Sequence, residues 1–185
     1  MKNLYFPLVA LLLTLLSCRS NTTQQDSVTG ANEYDLSQEQ GDGILRMPDY
    51  NFSEQIQVQG NQYVYTIHRE ASDSLPLIIE EDGNRYADNI YTLTIQAGDK
   101  KVFQRHFTKK TFMSYLSKDF QQRGLLDGMM YDKSLPGFHF AISVSLPQSD
   151  MMEPLLMQVD TNGGIVIARD ERGDEELEPE DEDGV

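Results

Sequence analysis

Four kinds of residue in this 185-residue chain have side chains suited to chemistry: one thiol, a few serines, three histidines and a run of cations beside a helix start. Cys18 closes the apolar run LLLTLLSC, and with no second cysteine to pair with, its thiol is a site for acylation rather than for a disulfide. Ser143 and Ser145 lie inside an alternating run, away from any G-x-S-x-G turn that would expose a hydrolase nucleophile. His68, His106 and His139 fall on the polar phase of three different expected strands. None has the His-x-His or H-E-x-x-H spacing of a metal site, so neither a metal nor another cofactor is expected. Asp160-Thr161-Asn162-Gly163-Gly164 opens like a calcium loop, but Ile165, Val166 and Ile167 continue it as strand, and a hairpin turn accounts for it. The remaining candidate is a basic patch of Lys100, Lys101, Arg105, Lys109 and Lys110 near an expected helix N-terminus, where anions are favoured. Its ligand would be an anion or an acidic partner. The competing use of these cations is pairing with Glu80, Glu81, Asp82 or the acidic C-terminus.

The first residues decide how Cys18 is used. Met1-Lys2-Asn3 is a short basic start, and Leu4 to Leu16 is apolar. That run is too short for a hydrocarbon core of roughly 30 Å, which takes about 20 helical residues. A secretory signal fits its length. Leu15-Leu16-Ser17-Cys18 resembles a bacterial lipobox. The resemblance implies a diacylglycerol on the Cys18 sulfur, cleavage just before it, and a further acyl chain, such as palmitate, on the new amine. Two or three chains make a durable anchor where one is marginal. Residues 1–17 are therefore expected to be a cleaved lipoprotein signal peptide, with the mature chain held to a membrane by its N-terminal lipid.

Charge divides the rest. The formal net charge is −15, yet residues 85–133 carry nine bases against five acids. The last sixteen residues, DERGDEELEPEDEDGV, set ten carboxylates against Arg172 alone. With no basic run to follow phosphates, nucleic acid is excluded as a partner. Residues 171–185 are expected to be a solvated, disordered acidic tail. Residues 18–43 are polar and rich in Ser, Thr, Gln, Asn and Gly, which is tether chemistry.

The elements that position any site lie in 44–170. Ile56 and Val58 alternate with glutamines, Gly60-Asn61 supplies a turn, and Tyr63, Tyr65 and Ile67 alternate beyond it. Closing the hairpin there sets Val58 opposite Tyr63 and Ile56 opposite Tyr65. Further strands are expected in LPLIIEE, Tyr91–Ile95, Val102–Phe107, Phe138–Leu146, Leu155–Val159 and Ile165–Ile167. A loop at Gly98-Asp99 longer than two residues would pair Ile95 with Phe103 and Tyr91 with Phe107. One amphipathic helix is expected from N-cap Thr108 to Gly124, with Phe112, Tyr115, Leu116 and Phe120 on one face. The fold class is α+β, predominantly antiparallel β, with about eight strands: a β-sandwich or a curled sheet packed on the helix.

Residues YTIHRE (65–70), DSLPLI (73–78), YADNIYTLTI (86–95), FTKKTFMSYL (107–116) and FAISVSLPQSD (140–150) resemble a family of uncharacterised lipoproteins of Bacteroides-type bacteria, a domain of unknown function. The resemblance implies envelope residence and a β-rich domain and carries over no site residue. Surface-exported lipoproteins of those bacteria often have acidic residues just after the cysteine. Arg19-Ser20-Asn21-Thr22-Thr23 has none, so the expected location is the outer membrane with the domain facing the periplasm. The favoured activity is binding, to a protein, a glycan or another envelope component. An envelope-polymer hydrolase without assigned catalytic residues is the alternative. Glycan binding would use tyrosine faces, but most of the tyrosines fall in the apolar phase of their strands, where packing is the usual role.

Overall fold

The structure, a computed structural model, describes residues 41–172. Its strands, in chain order, are β1 (Ile44–Leu45), β2 (Tyr50–Val58), β3 (Asn61–Ala71), β4 (Ile78–Ile79), β5 (Arg85–Tyr86), β6 (Asn89–Ala97), β7 (Lys100–Phe107), β8 (Leu125–Tyr131), β9 (Phe138–Ser145), β10 (Met152–Val159) and β11 (Ile165–Arg169). Two short helices, α1 (Lys109–Phe112) and α2 (Lys118–Arg123), separate β7 from β8. Two four-stranded antiparallel sheets result, ordered β2-β3-β6-β7 and β11-β10-β9-β8, with a small third sheet β1-β5-β4. The chain is β-rich, as the sequence predicts. The described residues form eleven strands rather than eight, because β1, β5 and β8 carry no alternation strong enough to announce them.

Period-two patterning explains the core. Tyr65 and Ile67 on β3 and Tyr91, Leu93 and Ile95 on β6 are buried in one cluster with Phe138, Phe140, Ile142 and Val144 on β9. Ring contacts join the two sheets, Tyr63 to Phe138 at 4.9 Å and Tyr65 to Phe140 at 5.9 Å between centroids. The sheets thus bury their faces against each other instead of wrapping a helix. The helical segment adds Phe112, Leu116 and Phe120 to that core, with half-buried Tyr115 packed against it.

The expected single helix is broken at Leu116, whose backbone is extended (φ −91°, ψ 146°). Ser117 restarts the chain as the N-cap of α2, and the Glu153 carboxylate of β10 accepts its N–H at 2.9 Å. Gln121 then spans the break, donating to the carbonyls of Met113 and Leu116.

Both early hairpins keep their expected faces, with one register corrected. β2 and β3 pair Ile56 with Tyr63 and Val58 with Asn61, so the turn is Gln59-Gly60 rather than Gly60-Asn61. Both turn residues have positive φ (50° and 80°), the geometry whose twist matches that of the flanking strands. β6 and β7 pair Ile95 with Phe103 and Tyr91 with Phe107 as expected. A bulge beyond Ile95 achieves this while the turn itself stays tight, with Ala97 opposite Lys100.

Candidate functional site

Three surfaces and one buried cluster bring polar or exposed apolar groups together. The buried cluster lies where β6 meets β8. Asp88 and Asn89, just before and at the start of β6, are 4 % and 0 % exposed, and Asp127 on β8 is 5 % exposed. Asp88 Oδ1 accepts the N–H groups of Asn89 (2.8 Å) and Leu126 (3.0 Å), which ties one large sheet to the other. Asn89 Nδ2 donates to the Leu126 carbonyl at 2.9 Å, and Tyr91 donates its hydroxyl to the Asp127 carbonyl. Asp127 is the bulged residue of β8, between Leu126 opposite Val144 and Gly128 opposite Ser143. The bulge aims its carboxylate at Ser143 Oγ, 2.8 Å away.

Burial raises both carboxyls, Asp88 and Asp127, above the usual range, and backbone and serine donors only partly offset it. Burial likewise lowers Lys109, which sits beside Asp88 and donates to the Gly124 carbonyl at 2.7 Å. The partners just named all belong to the fold itself, although Asn89 Oδ1 is buried without one, and such a network joins sheets rather than exposing a reactive group. Sequence reasoning passed over Asp88 and Asp127. Asp127 interrupts an apolar stretch, LLDGMMY, and that interruption was the available signal.

The expected basic patch does not gather into one site. Lys100 and Lys101 stand at the turn end of β7, roughly 20 Å of strand away from Lys109 and Lys110 in α1. Arg105 lies between them, its guanidinium 6.0 Å from the Phe103 ring centre. Lys101 is bonded to Gln104, and Lys109 is turned inward as described. Lys100, Lys101, Arg105 and Lys110 are exposed along an edge strand and the helix that follows it. Arg123, not one of these five, takes Glu80, at 2.7 Å.

The histidines are also separated. His68 and His106 flank Thr92 on the outer face of one sheet, with His106 Nδ1 2.8 Å from the Thr92 hydroxyl, while His139 belongs to the other sheet. Among the described residues no group of three or more His, Cys, Asp or Glu is placed to hold a metal ion. Asp160 closes its own turn, its Oδ1 accepting the N–H groups of Asn162 (2.7 Å) and Gly164 (2.9 Å). Cys18 and most of the acidic C-terminus lie outside the described residues.

A cleft of about 580 Å³ opens between the β2–β3 turn and the β8–β9 loop, lined by Gln57, Gln59, Tyr131, Lys133 and Pro136. Ion pairs hold that loop on both flanks: Lys133 to Glu54 at 2.6 Å, and Arg172 to Asp132 at 2.7 Å. Tyr65 also donates to Glu54, and the Lys133 hydrogen bond together with this one holds the Glu54 carboxyl below its usual range.

The outer face of the β8–β11 sheet carries one apolar row where a solvent face is normally polar. Met130, Ala141, Leu156 and Ala168 form one row across all four strands. Val166 stands in the next row, opposite Gln158, and Met152 two rows away beyond Pro154; these two and Met130 are 66 %, 55 % and 56 % exposed. Sequence reasoning caught only the inward phase of these strands, Leu155, Met157 and Val159, and missed the second apolar phase.

No helix among the described residues is long and apolar enough to cross a membrane. No curated protein matches the chain. Residues 30–167 match the model of a domain of unknown function, DUF4738, which takes in every strand but the last two residues of β11 and begins eleven residues before the described region. The chain belongs to that family.

Proposed function

We propose that this chain is a lipid-anchored lipoprotein of the bacterial cell envelope, of the Bacteroides type, whose β-rich domain works by binding a protein or another envelope component. The anchor rests on Leu15-Leu16-Ser17-Cys18 at the end of an apolar run too short to span a bilayer. Binding rests on one observation, the solvent-exposed apolar row through Met130, Leu156 and Ala168 with Val166 beside it. Contiguous apolar surface of this kind marks contact sites in soluble domains.

The test has two arms. Mass spectrometry of the protein from its native host is expected to find the chain beginning at Cys18 with a diacylglyceryl thioether. A first residue upstream of Cys18, or an unmodified thiol, overturns the anchor. In-cell crosslinking from Met130 and Val166 is expected to give a defined adduct that Leu156→Lys abolishes while the domain stays folded. No adduct, or one indifferent to that change, overturns binding at this face.

A further inference from the structure

We infer that the outer edge of β2 is a docking site for an extended, basic peptide segment of another protein, taken up as a fifth strand of the β2-β3-β6-β7 sheet. The inference rests on the reading of the domain as a binding module and names a second contact surface and the chemistry of its partner. The four edges of the two large sheets are guarded unequally. β7 carries Lys100, Lys101 and Arg105 and a bulge; β8 has a bulge at Asp127; β11 is five residues long and ends in Arg169. These are the usual devices against unwanted strand pairing. β2 has none of them. It is nine residues long, contains no Lys, Arg or Pro and no bulge, and no element among the described residues pairs with its outer side.

The turn fixes which backbone groups face outward. A two-residue turn makes the flanking pair, Val58 and Asn61, a hydrogen-bonded pair, and such pairs recur at every second residue. Tyr50, Phe52, Glu54, Ile56 and Val58 therefore spend their N–H and C=O groups on β3. Asn51, Ser53, Gln55 and Gln57 turn theirs to the open edge, a ready template for main-chain pairing with an incoming strand.

The side chains say what that strand is. Tyr50 and Phe52, on one face of β2, are 39 % and 40 % exposed with their rings parallel within 4°, and they offer an apolar ledge to every second residue of a partner. The other face presents the neutral side chains of Asn51, Ser53, Gln55 and Gln57. The one charge on the strand, Glu54, is already paired with Lys133, so the pull on a partner is that of the chain as a whole, which carries −15. A second copy would be repelled by that charge, whereas a segment alternating apolar and basic side chains is drawn to it.

A blocked nine-residue peptide of alternating lysine and valine is the probe, with a version N-methylated on one edge as control, and the chain is used at full length. Saturating peptide is expected to slow amide exchange at Asn51, Ser53, Gln55 and Gln57 by about tenfold or more while Phe52, Glu54 and Ile56 do not change. Gln55→Pro removes an outward N–H and no bond to β3, so it should weaken binding about tenfold with the fold retained; Asn51→Pro repeats the test at the other end. Four results would each overturn the inference: no binding, binding without slowed exchange at the four amides, equal binding by the folded proline variants, or four amides already slow in the free chain. A homodimer joined through this edge overturns the choice of partner. In native cells a photocrosslinker at Gln55 should capture a partner that one at Gln104, on β7, does not. Adducts from Met130 with none from Gln55 sink the edge alone, whereas none from either position sinks the binding reading itself.

Discussion

Replacing Asp88 by alanine and by asparagine separates what its oxygen holds from what its charge costs. Oδ1 receives the N–H groups of Asn89 and Leu126 at 2.8 and 3.0 Å, at the seam between the two large sheets. Alanine leaves two buried donors unpaired, and at about 1–3 kcal/mol each the loss is about 2–6 kcal/mol. That is a large part of the roughly 5–15 kcal/mol by which a domain is stable. Asparagine keeps an oxygen in place and removes a charge that burial disfavours, so Asp88→Asn should stay within about 1 kcal/mol of the parent at pH 7. Dependence on pH gives a second readout. Burial raises the Asp88 carboxyl, so the folded protein holds that proton more tightly than the unfolded chain does. This contribution is complete below the unfolded value of about 4 and is lost as pH climbs through the folded value. The asparagine variant lacks that loss, and its stability relative to the parent should rise over the same interval. Urea titrations followed by far-ultraviolet circular dichroism, repeated across this interval, measure both effects. Equal losses in the two variants, or an alanine variant as stable as the parent, would refute the reasoning, because the oxygen would then not be what joins the sheets.

Three further outcomes follow from local geometry. A Cβ at Gly128 would lie 2.0 Å from Ser143 Oγ, so Gly128→Ala must displace the serine that bonds Asp127, and a melting experiment should show a loss of about 1–3 kcal/mol. Gln59 holds φ at +50° in a turn that favours Asn-Gly, so Gln59→Asn should stabilise the domain by about 0.5–1 kcal/mol in denaturant titration; a loss would contradict the turn assignment. Lys109→Glu sets a carboxylate against Asp88 and the Gly124 carbonyl and should lower the melting temperature clearly, while Lys110→Glu, exposed on the same helix, should shift stability by less than about 0.5 kcal/mol.

Much of the fold is written in the period-two alternation of the sequence. The faces of β2, β3, β6 and β9 can be read directly, because each buries one side and solvates the other. Even the register of β6 on β7 follows from matching Ile95 to Phe103, although its cause, a bulge, does not show in the pattern. Less legible were elements too short to have a period. β1 and β5 are two residues each, and with β4, which lies in the expected LPLIIEE strand, they exist because Ile78 and Tyr86 cover Leu125 on the outer side of β8. The helix break was hidden because Phe112, Leu116 and Phe120 keep helical spacing across it, and only Glu153, distant in sequence, reveals Ser117 as a second start. The candidate surfaces were harder still. A single apolar residue per strand, such as Met130 or Leu156, looks incidental until four strands align them. An unguarded edge is defined by neighbours that the sequence does not list. Asp88 and Asp127 resemble surface residues in sequence because their burial is created by sheets meeting from opposite ends of the domain.

The β8–β9 loop has a consequence of its own. Its moorings, Lys133 to Glu54 and Arg172 to Asp132, are salt bridges whose basic partners are 67 % and 45 % exposed. Dissolved electrolyte weakens such attractions within a Debye length of about 8 Å at physiological strength, and it leaves the aromatic interior beneath almost unaffected. Brine would therefore slacken the rim of the cleft without softening its floor, so that the saltiness of the surroundings sets how wide that mouth stands.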